Sequence, residues 1–448
     1  MTAPEWTRLE NSAIIYPSCQ TRKYSTVYKM SVTMDSPVDP WKLQEALRSV
    51  TARFPGFRYT LRRGLFWWFL QRLENEPTVS TDTTLRPVDI ERNGGYMFKL
   101  GCNGNRIDLV VFHALTDGTG AATFLMSVAG EYLRITGHPE IGYGKWVFDP
   151  DSRGDQEELE DSFDRFSGTK GALDKEESAW HIEGTEEKDN SVNTVKVSLS
   201  SSALTAKAHE LGCTVTELLS TLIMLSLQDV RRQQKGKKGF IRMELPVNLR
   251  PIYGSCTMRN FSSYIYLTLD VNNGEFSFDE ALREIKYQKR LYTGESRLTR
   301  RIAANVALED SLAIRCIPIF IKKPIINLIN FLKGDNYATY TFSNLGNVTL
   351  PEGMEDKVRD MDFILGRQRR RSGSCSCVSV GDTTSINFSR KIVEDDLERR
   401  FVERLRSLGL HASVQVPFEQ KEKTATPKTV KPILSKKSYF LPTFLLSF

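Results

Sequence analysis

A β-branched run that ends in a single histidine is the most constraining feature of this chain. Residues 107–112 are rich in Val, Ile and Leu and predict a buried strand. His113 follows at the end of this run, and Asp117 and Gly118 follow in a sharp loop. Such a strand would hold the imidazole on rigid scaffolding, beside a carboxylate and a flexible backbone. The segment therefore predicts a site of proton transfer; a core histidine without a chemical role is the alternative.

Strands and helices alternate on both sides of this segment. The patterns in the first part of the chain predict strands over 21–34, 57–62, 64–72, 96–101 and 106–112 and helices over 40–53 and 120–135. The later part predicts strands over 193–199, 239–246, 261–270, 337–342, 374–380 and 384–389 and helices from Ser201, from Thr214 to Arg232, and over 278–293, 297–310, 317–333 and 394–408. Thr214 and Glu217 have the spacing of a capping box. The expected fold class is α/β with mixed sheets.

Composition divides the chain into four parts. Residues 1–140 and 193–416 carry the periodic patterns, and 448 residues exceed what one core usually holds. Residues 141–192 are polar and acidic, which predicts a crossover or linker; the acidic run 155–161 is expected to be a solvated helix face rather than a metal site. Residues 417–448 are basic and end in a short apolar stretch. They predict a flexible tail that makes at most a weak peripheral contact with a membrane.

Charge and cysteine content narrow the function classes. The formal net charge is +6, with both signs interspersed, so nothing favours nucleic-acid binding. The seven cysteines are odd in number and mostly isolated, which is typical of reduced thiols in the cytoplasm. The first residues lack the pattern of a signal peptide. We therefore expect a cytoplasmic protein.

Several other chemistries lack their motifs. The remaining histidines lie in unrelated contexts, and Cys375 and Cys377 read best as core residues, so no metal site is expected. Residues 118–123 imitate a dinucleotide fingerprint, but Thr123 replaces its third glycine and no acidic strand end follows at the proper distance. No G-x-S-x-G segment occurs in the sequence. His113 remains as the candidate base.

The segment His113-Ala-Leu-Thr-Asp117-Gly118 resembles the H-x-x-x-D-G signature of the chloramphenicol-acetyltransferase-like superfamily. This superfamily includes condensation domains of peptide synthetases and alcohol acetyltransferases. Further resemblance lies in Pro246-Val-Asn-Leu-Arg250, Arg259-Asn260-Phe261, Ser343-Asn344-Leu345-Gly346 and Ile386-Asn-Phe-Ser389. The resemblance covers nearly all of residues 5–410.

Three further stretches are most similar to the bacterial alcohol-acetyltransferase-like branch of this superfamily. They are residues 6–13, 53–55 and 64–67. Two positions depart from the family pattern. Phe112 stands where many members carry a first histidine, and Arg259 replaces the usual glycine. The second histidine is the catalytic one in the family, so His113 keeps the role.

The resemblance implies two lobes that form a pseudo-dimer, with a tunnel at their junction and His113 midway along it. It implies transfer of an acyl group, with acetyl expected, from a coenzyme A thioester to a hydroxyl or amine, with His113 as general base and no acyl-enzyme. Acyl-CoA would be a co-substrate, with no permanently bound cofactor, and the protein would be a monomer. The alternatives are a condensation-type enzyme that uses a carrier protein, and a non-catalytic binding relative.

The resemblance also assigns supporting roles. Asp117 would be structural and pair with Arg250, tying the two lobes together, and Gly118 would leave room for substrate. Oxyanion or tunnel contacts would come from Ser343, Asn344 and Asn260. An ordinary turn is an equal alternative for the segment that contains Ser343 and Asn344.

The basic run 367–371 suggests a contact with coenzyme A. Guanidinium groups suit phosphate, and Arg369 and Arg370 are the candidates for the phosphates of the cofactor. A solvated hairpin tip is the favoured alternative for this run.

Overall fold

The computed structural model describes residues 4–21, 23–166, 177–188, 190–234, 239–310, 316–331 and 336–415. Residues Met1–Val416 form one compact unit. The predicted tail over 417–448 lies outside the described residues.

Fourteen strands are present in the described part of the chain. They are β1 Trp6–Arg8, β2 Val27–Met34, β3 Tyr59–Arg63, β4 Trp68–Arg72, β5 Phe98–Asn103, β6 Arg106–Phe112, β7 Asn193–Ser200, β8 Ile241–Asn248, β9 Ser262–Leu269, β10 Tyr340–Val348, β11 Val358–Leu365, β12 Gly373–Val380, β13 Thr383–Arg390 and β14 Ser413–Gln415. They form sheets of three strands (β1-β4-β3), four strands (β11-β2-β6-β5) and seven strands (β14-β7-β13-β12-β10-β8-β9). In the seven-stranded sheet β10 is parallel to β8 and β12, and the other pairings are antiparallel.

Eleven α-helices lie between these strands in the same described ranges. They are α1 Ile15–Cys19, α2 Pro40–Arg53, α3 Gly118–Ile135, α4 Ser162–Phe166, α5 Ser201–Glu210, α6 Val215–Gln233, α7 Arg250–Tyr253, α8 Phe278–Tyr292, α9 Glu295–Asp310, α10 Ile319–Ile329 and α11 Asp396–Ser407. The predicted capping box at the start of α6 is confirmed: the Thr214 hydroxyl accepts from the amide of Glu217, whose carboxylate accepts from the amide of Thr214.

The two halves of the chain have separate hydrophobic cores. In the first, α2 and α3 pack on the four-stranded sheet around residues such as Leu47, Leu109 and Phe124. In the second, α6, α8 and α11 pack with the seven-stranded sheet around residues such as Leu222 and Phe342. The mixed α/β class with two lobes is confirmed by this arrangement. Cys375 and Cys377 are buried in the second core, as predicted.

Strand β11 was not predicted and joins the two halves. It comes from the later part of the chain but pairs with β2 in the four-stranded sheet, with Leu365 opposite Tyr28. Its buried carboxylate Asp362 is balanced by Lys196 at 2.9 Å. The charged residues of β11 resemble the composition of a loop, and the groups that balance their charge are distant in sequence. The strand is therefore not recognisable from the sequence alone.

The structure corrects two local predictions. Residues 343–346 are not a turn but part of β10, where the ladder shifts register between Asn344 and Asn347 and Gly346 has a φ of 85°. The acidic run is a solvated face only in part: Glu157 is exposed, whereas Glu158 is buried and makes a bidentate ion pair with Arg53 at 2.7 and 2.8 Å.

No single helix in the described ranges is long and apolar enough to cross a membrane. Helices α5 and α6 are bent relative to each other, and taken as one segment they are long and apolar enough, by length and composition alone.

Candidate active site

His113 lies directly after β6, at the junction of the two halves. Its backbone N–H donates to the carbonyl of Thr26 at 2.9 Å, which extends the pairing of β6 with the segment before β2. Its imidazole contacts Asn260, which lies just before β9 in the other half of the chain. The sequence prediction that a strand delivers this histidine to a loop agrees with the position of β6.

Two tyrosines enclose the imidazole. The ring of Tyr16 stacks on that of His113 with centroids 4.2 Å apart and an angle of 14°. Tyr28 presents its edge at 5.0 Å, while its hydroxyl donates to the carbonyls of Thr116 and Asp117. Sequence reasoning missed Tyr16, because it lies in the short helix α1, where no periodic pattern is visible.

The tautomer of His113 follows from a chain of hydrogen bonds. Glu10 is a buried carboxylate that accepts from the amide Nδ2 of Asn260 at 2.8 Å. The other end of that amide, Oδ1, therefore faces the Nδ1 of His113, at 3.0 Å. An amide oxygen only accepts, so Nδ1 carries the proton and Nε2 keeps its lone pair. The Tyr16 hydroxyl lies 3.5 Å from Nε2.

Arg259, one of the two residues that depart from the family pattern, belongs to this chain of contacts. The guanidinium of Arg259 forms an ion pair with Glu10 and donates to the carbonyl of Arg8 at 2.8 Å. A glycine at this position could not neutralise a buried carboxylate, so Arg259 and Glu10 compensate each other.

Burial and the nearby charge of Glu10 raise the pKa of Asp161 to about 7.

The pKa of His113 lies below its ordinary value of 6.5. Removal from solvent is the main cause, since it disfavours the charged imidazolium. A hydrogen bond to its own backbone and the charge of Asp117 act in the opposite direction without overcoming it. A neutral imidazole at neutral pH is the form that accepts a proton.

Asp117 forms its hydrogen bonds with the second half and with the start of α3, and so holds the two halves together. Its carboxylate receives two hydrogen bonds from Arg250, at 2.8 and 3.1 Å, and one from the backbone N–H of Phe261 at 2.9 Å. It also caps α3, accepting from the amides of Thr119 and Gly120. Both charged groups are buried, and the Arg250 guanidinium helps to keep the pKa of Asp117 below its usual range.

The two glycines at the start of α3 occupy different surroundings. A Cβ on Gly118 would lie 3.5 Å from Leu345 and from Met30, which is ordinary contact. A Cβ on Gly120 would lie 2.1 Å from the Thr116 hydroxyl oxygen and 2.5 Å from the carbonyl of Met258. Close approach of the second half therefore requires a glycine at 120, whereas the fold itself tolerates a small side chain at 118.

These contacts predict opposite effects for two matched substitutions. Gly120→Ala should lower the free energy of unfolding by about 1–3 kcal/mol, because the added methyl meets backbone. Gly118→Ala should change it by much less. Chemical denaturation of both variants measures the difference. Equal stabilities would contradict the packing described for α3.

The predicted oxyanion residues Ser343 and Asn344 lie in β10. The amide Nδ2 of Asn344 donates to the Thr216 hydroxyl at 3.0 Å, and its Oδ1 accepts from the amide of Gly346 at 2.9 Å. The side chain of Asn344 is thus engaged with its own strand and the start of α6. Of the three residues assigned to this role, Asn260 is the one that the structure brings into contact with His113.

The basic run 367–371 is not a solvated hairpin tip. Arg367 and Arg371 are buried and pair with Glu186 and Glu244, at 3.1 and 2.7 Å. The two predicted phosphate contacts lie over the ring of Phe331, which Arg369 approaches to 4.2 Å and Arg370 to 4.7 Å. Their assignment to coenzyme A stays a prediction.

Within the described ranges, no group of three or more His, Cys, Asp and Glu side chains is arranged to hold a metal ion.

Comparison with solved structures identifies the fold. Polyketide synthase associated protein 5 from Mycobacterium tuberculosis is 13% identical, with a TM-score of 0.59 over 89% of this chain and 96% of that one. TRI101 of F. sporotrichioides, solved with coenzyme A and T-2, is 13% identical, with a TM-score of 0.58 over 91% and 99%. This chain has the chloramphenicol-acetyltransferase-like fold. The shared architecture accounts for the two lobes.

Condensation domains share the same architecture. The starter condensation domain of rhizomide synthetase, as a mutant in complex with C8-CoA, is 13% identical, with a TM-score of 0.57 over 90% of this chain and 94% of that one. No protein-family model and no curated protein sequence matches the chain. The likeness therefore concerns the fold, which acyltransferases and condensation domains have in common.

Proposed function

We propose that this protein transfers an acyl group, acetyl being the expected one, from a coenzyme A thioester to a hydroxyl or amine acceptor. The observation that carries the proposal is the fixed tautomer of His113. Glu10 orients the amide of Asn260, the amide holds the proton on Nδ1, and Nε2 is left as a base. The lowered pKa keeps this imidazole neutral under ordinary conditions.

The proposed reaction is a direct transfer. Nε2 of His113 takes the proton from the acceptor while the acceptor oxygen or nitrogen attacks the thioester carbonyl carbon. The tetrahedral intermediate then collapses, the carbon–sulfur bond breaks, and the imidazolium returns the proton to the departing thiolate. The products are the ester or amide and free coenzyme A, and no acyl-enzyme forms.

Other residues would support this step in the proposal. Asp117 and Arg250 would hold the His113 loop against the second half, and Gly118 would leave space for substrate. Ser343 and Asn344 are proposed at the oxyanion, and Arg369 and Arg370 at the phosphates of coenzyme A. The tunnel implied by the resemblance would bring both substrates to His113.

Release of free thiol tests the proposal. Purified protein is incubated with acetyl-CoA and a panel of alcohols and amines, and the coenzyme A thiol is followed with a colorimetric reagent. Acceptor-dependent thiol release, together with acylated product in the mass spectrum, is the expected result. Its absence across the panel would count against a free acyl-CoA donor.

The donor is proposed as an acyl-CoA thioester in solution, on the strength of two similar structures. TRI101 was solved with coenzyme A, and the rhizomide condensation domain with C8-CoA. A carrier-dependent condensation enzyme is the rival, since condensation domains have the same fold. A phosphopantetheinylated carrier protein loaded with an acyl group is therefore run beside acetyl-CoA. Transfer from the carrier alone would favour the rival.

The pH dependence of the reaction follows from the pKa of His113. A base must be neutral, so kcat/KM should decline at acid pH, where the imidazole gains a proton, and the midpoint of this decline should lie below the ordinary histidine value of 6.5. Thiol release measured over about pH 5–8 gives this profile. A midpoint above 6.5 would contradict a burial-lowered pKa.

Glu10→Gln provides a control for the direction of this shift. The charge of Glu10 raises the pKa of His113, so its removal should move the acid limb to still lower pH. A shift of the acid limb to higher pH would mean that a group other than His113 controls the decline of kcat/KM at low pH.

A further inference from the structure

Helix α10 presents its apolar residues to solvent. Two of its polar side chains are engaged with neighbouring segments: Asn327 accepts from Arg369 at 2.8 Å, and Lys322 donates to the carbonyl of Phe66 at 3.1 Å. Its outward positions follow the spacing of one helix face and are apolar apart from Lys323, namely Phe320, Ile321, Pro324, Ile325, Leu328 and Ile329. This is the reverse of the pattern expected of a helix on the surface of a water-soluble protein.

The apolar face continues onto the neighbouring turn between β3 and β4. The backbone N–H of Ile319 donates to the carbonyl of Leu65 at 2.8 Å, which fixes α10 beside this turn. The Leu65 side chain is 63% exposed and that of Trp67 is 46% exposed. We call these two residues and the outward positions of α10 the α10 face.

Positive charge surrounds the α10 face. Helix α10 contains two lysines, Lys322 and Lys323, and no Asp or Glu. Lys322 lies 5.9 Å from the centre of the Trp67 ring. Arg369 and Arg370 lie over Phe331, just beyond the end of α10. An apolar strip with a tryptophan and a basic border complements the headgroups and acyl chains of an anionic bilayer.

We propose that the α10 face docks this protein on the surface of an anionic phospholipid bilayer. The helix would lie in the plane of the interface, with its apolar side chains among the acyl chains and its lysines at the headgroups. A second copy suits the face less well, because a two-fold contact would place the same basic border against itself. The lysine-rich residues 417–448 carry the same sign of charge. This inference does not depend on the proposed function.

Vesicle co-sedimentation of the full-length protein tests this docking. The vesicles contain equal parts of phosphatidylcholine and phosphatidylglycerol, or phosphatidylcholine alone. We expect binding to the anionic vesicles that weakens with added salt. Ile325→Glu combined with Leu328→Glu should reduce it by about tenfold or more, since two apolar side chains are lost from the interface. Unchanged binding of this double variant would overturn the proposal.

Matched variants separate the α10 face from other surfaces. Tyr287→Glu removes a 62% exposed aromatic residue from α8 and should leave vesicle binding unchanged. Phe440→Glu with Leu445→Glu alters the apolar end of the chain. Loss of binding in this tail variant but not in the α10 variant would overturn the proposal, as would a dimer, seen by light scattering without lipid, that the α10 substitutions abolish. Equal melting temperatures establish that each variant is folded.

Discussion

Replacing His113 by alanine should lower the rate of acyl transfer by about 10²–10⁴-fold, the range that a positioned general base contributes. The substitution removes Nε2, the atom whose lone pair is left available by the Asn260 contact. Substrate binding should change less, because the proposed role of the imidazole is to accept a proton. Initial rates of thiol release at saturating acetyl-CoA, compared between wild type and variant, give the factor.

His209→Ala is the matched control for this loss. His209 is an exposed residue of α5, so the same chemical change there should leave the rate of transfer unaltered. The melting temperature of His113→Ala shows whether the loop still folds. A folded His113→Ala variant with a wild-type rate would falsify the general-base assignment. A protein without activity in either form would instead favour a non-catalytic binding relative.

The elements that the sequence predicts well are those with strong local patterns. Helix α2 has the predicted bounds 40–53, and β6 ends next to His113 as expected. The apolar spacing of such segments is set by one adjacent core, so it is visible within a short window. The capping box of α6 is likewise local, since its two side chains satisfy amides three residues apart.

The features that the sequence does not reveal depend on distant partners. Strand β11 carries charged residues that look like loop composition until Lys196 is seen beside Asp362. Glu10 and Asn260 lie 250 positions apart, and only the fold brings them together. Arg259 looked like a departure from the family pattern, whereas its ion pair with Glu10 gives it a structural reason.

The contact between Asp117 and Arg250 has a different origin. The resemblance to the superfamily predicted this ion pair, whereas the positions of the two residues in the sequence did not indicate it. The structure places both side chains where β6, α3 and α7 meet, and adds the amide of Phe261, which no motif indicated. The position of His113 thus depends on local sequence, but its alignment with the second half depends on buried polar contacts that form only in the folded chain.

Asp117→Ala should reduce the free energy of unfolding by about 3–5 kcal/mol, because it leaves the Arg250 guanidinium buried without its carboxylate. The amide of Phe261 and the first amides of α3 also lose their acceptor. We expect activity to fall as well, since the loop that carries His113 is no longer tied to the second half. Denaturant titration and thiol release, measured on the same preparation, test both effects.

A double-mutant cycle distinguishes a structural carboxylate from a chemical one. Arg250→Met alone leaves the Asp117 carboxylate buried without its cationic partner and should also be strongly destabilising. The double variant Asp117→Ala with Arg250→Met removes both charges, so its loss of stability should be clearly smaller than the sum of the single losses. Additive losses would contradict the coupling. Lost activity at wild-type stability in Asp117→Ala would contradict the structural role and would favour a direct role of the carboxylate in the reaction, because removal of a carboxylate that ties the two halves together must lower stability.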